Sequence, residues 1–359
     1  MKTNCSFYGV LIVLTFLTGY TRASVNVPDE GERPVVGAIR WDGWVGNLNG
    51  AGLEVEHILS PNQYHHRAPF FSKEISYDSI QCRGVTQAIM DQEIAYAKYA
   101  GLDYWAFCWY PPHSGLDTAR QLYLKSTRKK DIKWCVILGT NPFDYDTDAK
   151  WLVERFKESN YQKVLNGRPL VYVFPATVTK PYQLIRLRDL TRKAGVPDPY
   201  IVVMEFNPQK AASVADSLRA DAVSCYASSY NFETGGQYND AAYWPAVSKS
   251  DRAGWEKYAA FGKKLVPWVT TGWNPRPRIK RSVLWNAYYT ADGCAKDGSP
   301  EQIARSLQNA IAWTRSNTNT AEANVVLIYA WNEFDEGGWI CPTLGNNTGR
   351  LDAINKILK

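Results

Sequence analysis

The stretch Trp331-Asn332-Glu333-Phe334-Asp335-Glu336-Gly337 sets two glutamates three residues apart. Cleaving a glycosidic bond requires two carboxyls, one to protonate the departing oxygen and one to act on the anomeric side. In an extended strand this spacing would point the pair to opposite faces, whereas in a helical turn both would face one way. The preceding strand should therefore end by Trp331, with residues 332–337 turning back on themselves. Gly337-Gly338 gives the backbone the freedom such a turn needs. The plain alternative is a solvated acidic loop of Glu333, Asp335 and Glu336. Flanking Trp331, Phe334 and Trp339 would be odd companions for solvated charges.

Other polar and aromatic residues fall just after β-branched or aromatic runs, where a barrel gathers its site. They are Asp42, Trp109, Tyr110, His113, Asn141, Glu205, Asn207, Tyr226, Trp273, Asn274, Asn332 and Trp339. Carboxylates, amides and indoles dominate this set, which suits a sugar ligand: rings stack on its C–H faces and polar tips bond its hydroxyls. The chain carries 14 Trp and 22 Tyr; most should fill the core, but those after strands should stay partly open. Metal chemistry fits poorly, because the four histidines (His57, His65, His66 and His113) and the cysteines match no zinc spacing. No Gly-rich phosphate loop and no Gly-x-Ser-x-Gly elbow occurs, and no cofactor is implied.

The elements that must position these residues alternate. Strand-like runs cover Val35–Arg40, Tyr104–Trp109, Trp134–Leu138, Leu170–Phe174, Tyr200–Met204, Ala222–Tyr226, Leu265–Val269 and Val325–Tyr329. Helical patterns follow each, at Ile89–Tyr99, Thr118–Thr127, Asp146–Glu158, Tyr182–Lys193, Pro208–Leu218, Arg252–Phe261, Glu301–Arg315 and Leu351–Leu358. Eight such units predict an α/β fold, a single (β/α)8 TIM barrel, with apolar strands covered on both faces. Gly101 and Gly195 stand at helix C-termini and Pro208 and Pro300 at helix starts, each in its favoured place. Long loops follow the first strand (Asp42 to about Ala88) and the seventh (Trp273 to about Ser299).

At the N-terminus, Lys2 precedes an apolar run from Phe7 to Leu17 and a small, polar stretch through Thr21-Arg22-Ala23. This is the layout of a secretory signal peptide cleaved near Ala23, leaving residues 24–359 as one catalytic domain outside the cytoplasm. The apolar run is too short to span a bilayer, so no membrane span is expected. The formal charge of +6, less Lys2 and Arg22, leaves +4 on scattered residues, which does not suit nucleic-acid binding. Cys5 leaves with the leader and six cysteines remain. Cys108, Cys135 and Cys225 sit in apolar runs as small hydrophobes; Cys294 and Cys341, both in loops, are the one pair suited to a disulfide. Asn346-Asn347-Thr348 is a glycosylation sequon.

The segment Asn332 to Gly337 resembles the Asn-Glu-Trp-x-Glu-Gly motif of the endo-α-mannosidase-like barrels, glycoside hydrolase family 99 and its broad relatives at polysaccharide loci. Weaker similarity runs through Asp91–Tyr110, Asn166–Leu170 and Gly272–Arg278, so it covers most of the mature chain in order. The resemblance implies hydrolysis of an α-glycosidic linkage, α-mannosidic by the family's own name, in an oligosaccharide or polysaccharide. It makes Glu333 the base that takes the proton of the sugar's own 2-hydroxyl, giving a 1,2-anhydro sugar and net retention. Glu336 becomes acid, then base for water; it would have to hold a proton near neutrality, which burial beside Glu333 favours. The chain departs from the pattern at Phe334, where the motif has Trp, and at Cys341-Pro342, where relatives often carry Glu-Pro. The segment Arg40-Trp41-Asp42-Gly43-Trp44 is also no close copy. Three other readings stay open: a conventional retaining pair of Glu205 and Glu333, a non-catalytic glycan-binding barrel, and glycosyl transfer. A leader argues against transfer, because a sugar-nucleotide enzyme belongs where its donor is made.

Overall fold

The computed structural model describes Met1 and residues 33–45, 50–84, 86–139, 141–175, 179–281, 283, 289–345 and 347–359. The expected leader beyond Met1 and the sequon's acceptor Asn346 lie outside them. Residues Glu32–Lys359 form one unit.

Eight parallel strands are present among the described residues: β1 (Val35–Arg40), β2 (Tyr104–Cys108), β3 (Lys133–Gly139), β4 (Arg168–Phe174), β5 (Tyr200–Met204), β6 (Ala222–Ser224), β7 in two pieces (Lys264–Leu265 and Trp268–Thr270) and β8 (Val325–Tyr329). Each pairs with the next, and β1 pairs with β8 as well as β2, so the sheet closes. Nearly every strand residue is buried, as expected where side chains on one face fill the barrel and those on the other meet helices. Inside, the Tyr104 and Tyr172 hydroxyls bond each other at 2.8 Å.

The seventh strand differs from the single run Leu265–Val269 that the sequence predicts. Pro267 has no N–H to give the ladder, and the strand divides there. Its first piece pairs with β6 and its second with β8. The ladder still crosses the break, because Val266 N donates to Val223 O at 3.0 Å and Leu327 N to Pro267 O at 3.0 Å.

The eight outer helices are α1 (Gln87–Ala100), α2 (Thr118–Lys125), α3 (Asp148–Phe156), α4 (Pro181–Lys193), α5 (Pro208–Leu218), α6 (Tyr243–Ala259), α7 (Pro300–Ser316) and α8 (Gly349–Leu358). Local chemistry sets their ends. Thr86 caps α1 by accepting from Ile89 N, Gly101 closes it at φ 84°, and Ser299 with Gln302 forms a capping box on α7. Helix α6 begins nine residues before the expected Arg252, because its buried face includes Ser248, Ser250 and Asp251, which do not read as an apolar stripe. The loop after β1 carries a helix (Ala51–Leu59) and a hairpin (Lys73–Ser76 with Ser79–Gln81).

Asp251 ties α6 to the mouth end of β7. It accepts from Ser228 Oγ at 2.6 Å, Thr270 Oγ1 at 2.8 Å and Thr270 N at 2.7 Å. Burial pushes its carboxyl up to about 7 despite these bonds. A carboxyl raised in the folded state favours the protonated form, so its stabilising contribution is full below the ordinary carboxylate range. That contribution is lost as pH rises through about 7. Asp251→Asn is therefore expected to flatten the decline of Tm between about pH 5 and 8; parallel curves for the two proteins would refute this.

Every described cysteine is a free, buried thiol, which corrects the expected Cys294–Cys341 pairing. The two thiols face different partners: Cys341 Sγ lies 3.9 Å from Glu93 Oε1, and Cys294 Sγ 3.7 Å from Thr290 O.

Candidate active site

Strand β8 ends at Tyr329, and the chain passes through Ala330 and Trp331 into a tight antiparallel hairpin in which Asn332 pairs with Trp339 and Glu333 with Gly338. A four-residue turn, Phe334 to Gly337, closes it: Gly337 N donates to Phe334 O at 3.3 Å, and Gly337 has φ 84°, open to glycine at no steric cost. The turn brings Glu333 and Glu336 to one side, as the spacing requires, through a hairpin rather than the helical turn expected. Behind it, the loop after β7 comes so close that a Cβ on Gly272 would meet Gly337 O at 2.0 Å. Gly272→Ala must move the hairpin, and a displacement of about 1 Å at a reacting group can lower turnover by roughly 10²-fold. The expected result is a large fall in kcat with near-normal circular dichroism; unchanged kcat would show that the contact does not set the pair.

Both glutamates are buried, and so is Asp335 between them. At their centre lies Arg278, from the short helix Arg276–Lys280 in the loop after β7. Its Nε donates to Asp335 Oδ2 at 2.7 Å, its Nη1 donates to Glu336 Oε1, and its Nη2 lies 3.7 Å from Glu333 Oε2. Glu336 accepts from two tyrosines as well, Tyr289 at 2.5 Å on Oε1 and Tyr329 on Oε2. Three donors, one a guanidinium, thus serve its two oxygens. Glu333 is served differently. Tyr226 donates to Oε1 at 2.9 Å, while Oε2 is buried without a hydrogen-bond partner among the described residues. Burial and the nearby Glu336 charge push the Glu333 carboxyl well above the usual range, and Arg278 only partly offsets them. These surroundings favour the protonated form of Glu333.

Asn332 fastens this hairpin to the loop after β1: its Oδ1 accepts from Trp41 N at 2.9 Å and its Nδ2 donates to Asp42 Oδ1 at 3.3 Å. Asp42 also accepts from Arg40 Nε at 2.8 Å, and burial pushes its carboxyl up to about 6. Arg40 continues to Glu93 at 2.7 Å, which accepts from Trp331 Nε1 at 3.0 Å. This buried chain positions the hairpin from below.

Several of the residues expected at the site gather around the pair: Tyr226 and Asn332 directly, Asp42 through Asn332, and Trp273 through its ring contacts. The Trp273 centroid lies 5.8 Å from Tyr329 and 5.9 Å from Tyr289. Tyr110 joins through its hydroxyl, which accepts from Trp41 Nε1 at 2.6 Å. Phe206, Trp273, Pro275 and Tyr289 border a cavity of about 280 Å³ beside Glu336.

Other residues lie elsewhere. Trp109 is core, with Arg120 4.0 Å above its ring. Asn141 donates to the Trp109 carbonyl at 3.0 Å and borders a separate cavity of about 640 Å³ with Phe143 and Tyr145. His113 is exposed in the loop after β2. Asn207 caps α5 by accepting from Lys210 N at 2.9 Å. Glu205 is paired with Lys210 at 3.2 Å and accepts from Phe206 N at 3.0 Å. Asn274 locks its loop, giving its N–H to Glu336 O at 2.7 Å and its side-chain amide to Asp297 at 3.1 Å. Trp339 faces away, under Arg350. Trp109, Trp273, Trp331 and Trp339 are all buried, whereas Trp41 and Tyr110 stay partly open, so the expectation for rings after strands holds only for some of them.

Sequence reasoning did not single out Arg278, Tyr289 or Tyr329. Arg278 stands in the Gly272–Arg278 segment that carries the family resemblance, Tyr329 reads as strand core, and Tyr289 falls deep in a long loop. Among the described residues no group of three or more His, Cys, Asp or Glu is arranged to hold a metal ion, and no helix is long and apolar enough to cross a membrane.

Two solved structures of the GH99 endo-α-mannosidase from Bacteroides thetaiotaomicron are similar to this chain. One, in complex with bis-tris-propane, has a TM-score of 0.57 at 13% identity, covering 89% of this chain and 95% of its own. The other has a TM-score of 0.56 at 14% identity over the same shares. The likeness establishes a GH99-like (β/α)8 barrel, as the sequence resemblance implies. No curated protein matches. The model of the family described as Glycosyltransferase WbsX matches residues 140–354, more than half of the 359 residues and including the Arg278 loop and the whole glutamate hairpin. By that match the chain belongs to the Glycosyltransferase WbsX family.

Proposed function

We propose that this barrel is a glycoside hydrolase that cleaves an α-glycosidic linkage, of α-mannosidic type, in a complex glycan or polysaccharide outside the cytoplasm. The observation that carries the reading is the pair Glu333 and Glu336, buried on one hairpin at the barrel mouth and given opposite surroundings by Arg278, Tyr226, Tyr289 and Tyr329. Two carboxyls in unlike environments are what acid–base division of labour requires. On the route that the resemblance implies, Glu333 takes the proton of the 2-hydroxyl and that oxygen attacks the anomeric carbon. The bond to the leaving oxygen breaks as Glu336 protonates it. Glu336 then takes a proton from water, which opens the anhydro ring, and Glu333 returns its proton to the 2-oxygen. The anomeric configuration is retained.

The donors around Glu336 favour a second reading in which the roles are exchanged. Glu333, in surroundings that favour a bound proton, would serve the leaving oxygen, and Glu336, ringed by donors, would act on the anomeric side. The pairing of Glu205 with Lys210 weighs against a conventional Glu205–Glu333 pair. Hydrolysis and glycosyl transfer both break a glycosidic bond; the N-terminal leader supports hydrolysis, because it would carry the chain away from sugar nucleotides.

The test is incubation of the mature protein with a panel of polysaccharides and N-glycans, with product analysis and NMR of the anomeric proton. Reducing ends released with retention support the proposal. An inverted product would sink the anhydro-sugar route, and saturable glycan binding with no release would leave a binding barrel.

A further inference from the structure

The loops after β1, β7 and β8 enclose a cavity of about 220 Å³, bordered by His66, Asp297, Trp339, Thr343 and Arg350. Its charges are unevenly matched. Asp297 is satisfied by the Arg67 fork, which reaches its two oxygens at 3.0 and 2.9 Å. Arg350 has no such partner among the described residues. Its guanidinium lies 3.5 Å over the Trp339 ring, and Nη1 donates to the Trp339 carbonyl at 2.5 Å. Burial lowers its pKa to about 10, and the charge of Asp297 offsets this only in part. Two guanidiniums, Arg67 beside the cavity and Arg350 in its wall, thus face the one carboxylate of Asp297, and a guanidinium fork is the group that best matches an oxyanion. Two features of the fold agree. Barrels often hold phosphate between the loops after the seventh and eighth strands. Arg350 also lies in the first turn of α8, at the positive end of the helix dipole, where Asn347 Oδ1 already accepts from Gly349 N at 3.1 Å.

We propose that this cavity is an oxyanion site, in which Arg350 receives a phosphate, sulfate or carboxylate group. Only the source of that group depends on the glycan reading above: it is either a substituent on a bound sugar or a free anion. The site shares Trp339 with the catalytic hairpin, because Trp339 pairs with Asn332, so its occupant would bear on the strand next to Glu333.

The test is thermal unfolding of the full mature protein with inorganic phosphate against chloride at equal ionic strength. Phosphate is expected to raise Tm saturably. Arg350→Gln should weaken phosphate by roughly tenfold or more, the loss expected when a charged hydrogen-bond donor is removed. Arg350→Lys keeps the charge without the fork and should fall between them, which keeps the test valid if Arg350→Gln does not fold. A hexose 6-phosphate binding more tightly than both phosphate and the neutral hexose would assign the site to a charged sugar; equal affinity for hexose phosphate and phosphate would assign it to a free anion. No saturable shift beyond chloride, or phosphate binding unchanged in the Arg350 variants, would overturn the proposal. None of these readings requires turnover, so loss of the site and loss of hydrolysis are distinguishable.

Discussion

Glu336→Gln and Glu333→Gln are each expected to lower turnover of an unactivated glycan by roughly 10²–10⁴-fold, the usual share of positioned proton transfer. Gln keeps the size and most of the hydrogen-bonding shape of Glu, so the loss reports the proton and the charge rather than the packing. The two variants should differ on a substrate with a good leaving group. An activated aryl glycoside needs little protonation of its departing oxygen, so the variant lacking the acid should recover much of its rate and the variant lacking the base should not. Recovery by Glu336→Gln supports the roles implied by the resemblance. Recovery by Glu333→Gln supports the exchanged roles that the donors on Glu336 favour. Because the pair acts as a unit, the double variant should be little worse than the poorer single one. Substantial turnover in both single variants would remove the pair from the chemistry, and abolition by Glu205→Gln would then point to the other carboxylate.

Arg278→Met is the second substitution with a large expected effect, here on stability as much as rate. It leaves Asp335, Glu336 and Glu333 buried without the cation they share. Removing one partner of a buried ion pair costs about 3–5 kcal/mol, because the remaining charge is uncompensated. The cost depends on pH in a definite direction. Arg278 holds the raised Glu333 carboxyl down, so without it the loss is full where Glu333 must be charged and shrinks as pH falls and Glu333 binds a proton. Thermal unfolding of wild type and variant from about pH 5 to 8 should show curves that converge toward acid. A variant with wild-type Tm throughout would show that Arg278 is not the group that makes burial of the three carboxyls tolerable. Arg278→Lys should keep part of the stability and lose more of the rate, since an ammonium cannot serve Asp335 and Glu336 with one planar fork.

The barrel was readable because its strands are buried on both faces, which leaves apolar runs at Val35–Arg40, Tyr200–Met204 and Val325–Tyr329 with the same bounds as the observed strands. The break in β7 was hidden, since Pro267 interrupts a run whose composition is otherwise continuous. The glutamates were legible from type and spacing, but the geometry joining them was not: a hairpin turn and a helical turn both bring positions three apart to one side. Arg278 was invisible for another reason. A guanidinium in a Pro-rich loop reads as solvent-exposed, and only tertiary contact with Asp335 and Glu336 makes it central. Local capping likewise accounts for Asn207, which looks like a site amide and serves the first turn of α5.

The divided seventh strand has a consequence for how function is lost. Its two pieces hold their neighbours through ladders of two and three residues, against five between β2 and β3. The loop that follows it carries Gly272 and Arg278, the contacts that set the hairpin. A short, interrupted ladder is where a closed sheet opens first, in a local transition of lower free energy than global unfolding. The proposed activity should therefore be lost before the fold melts. In a urea titration, the midpoint for loss of turnover is expected below the midpoint for loss of helical signal, with amides of β7 exchanging ahead of those in β2 and β3.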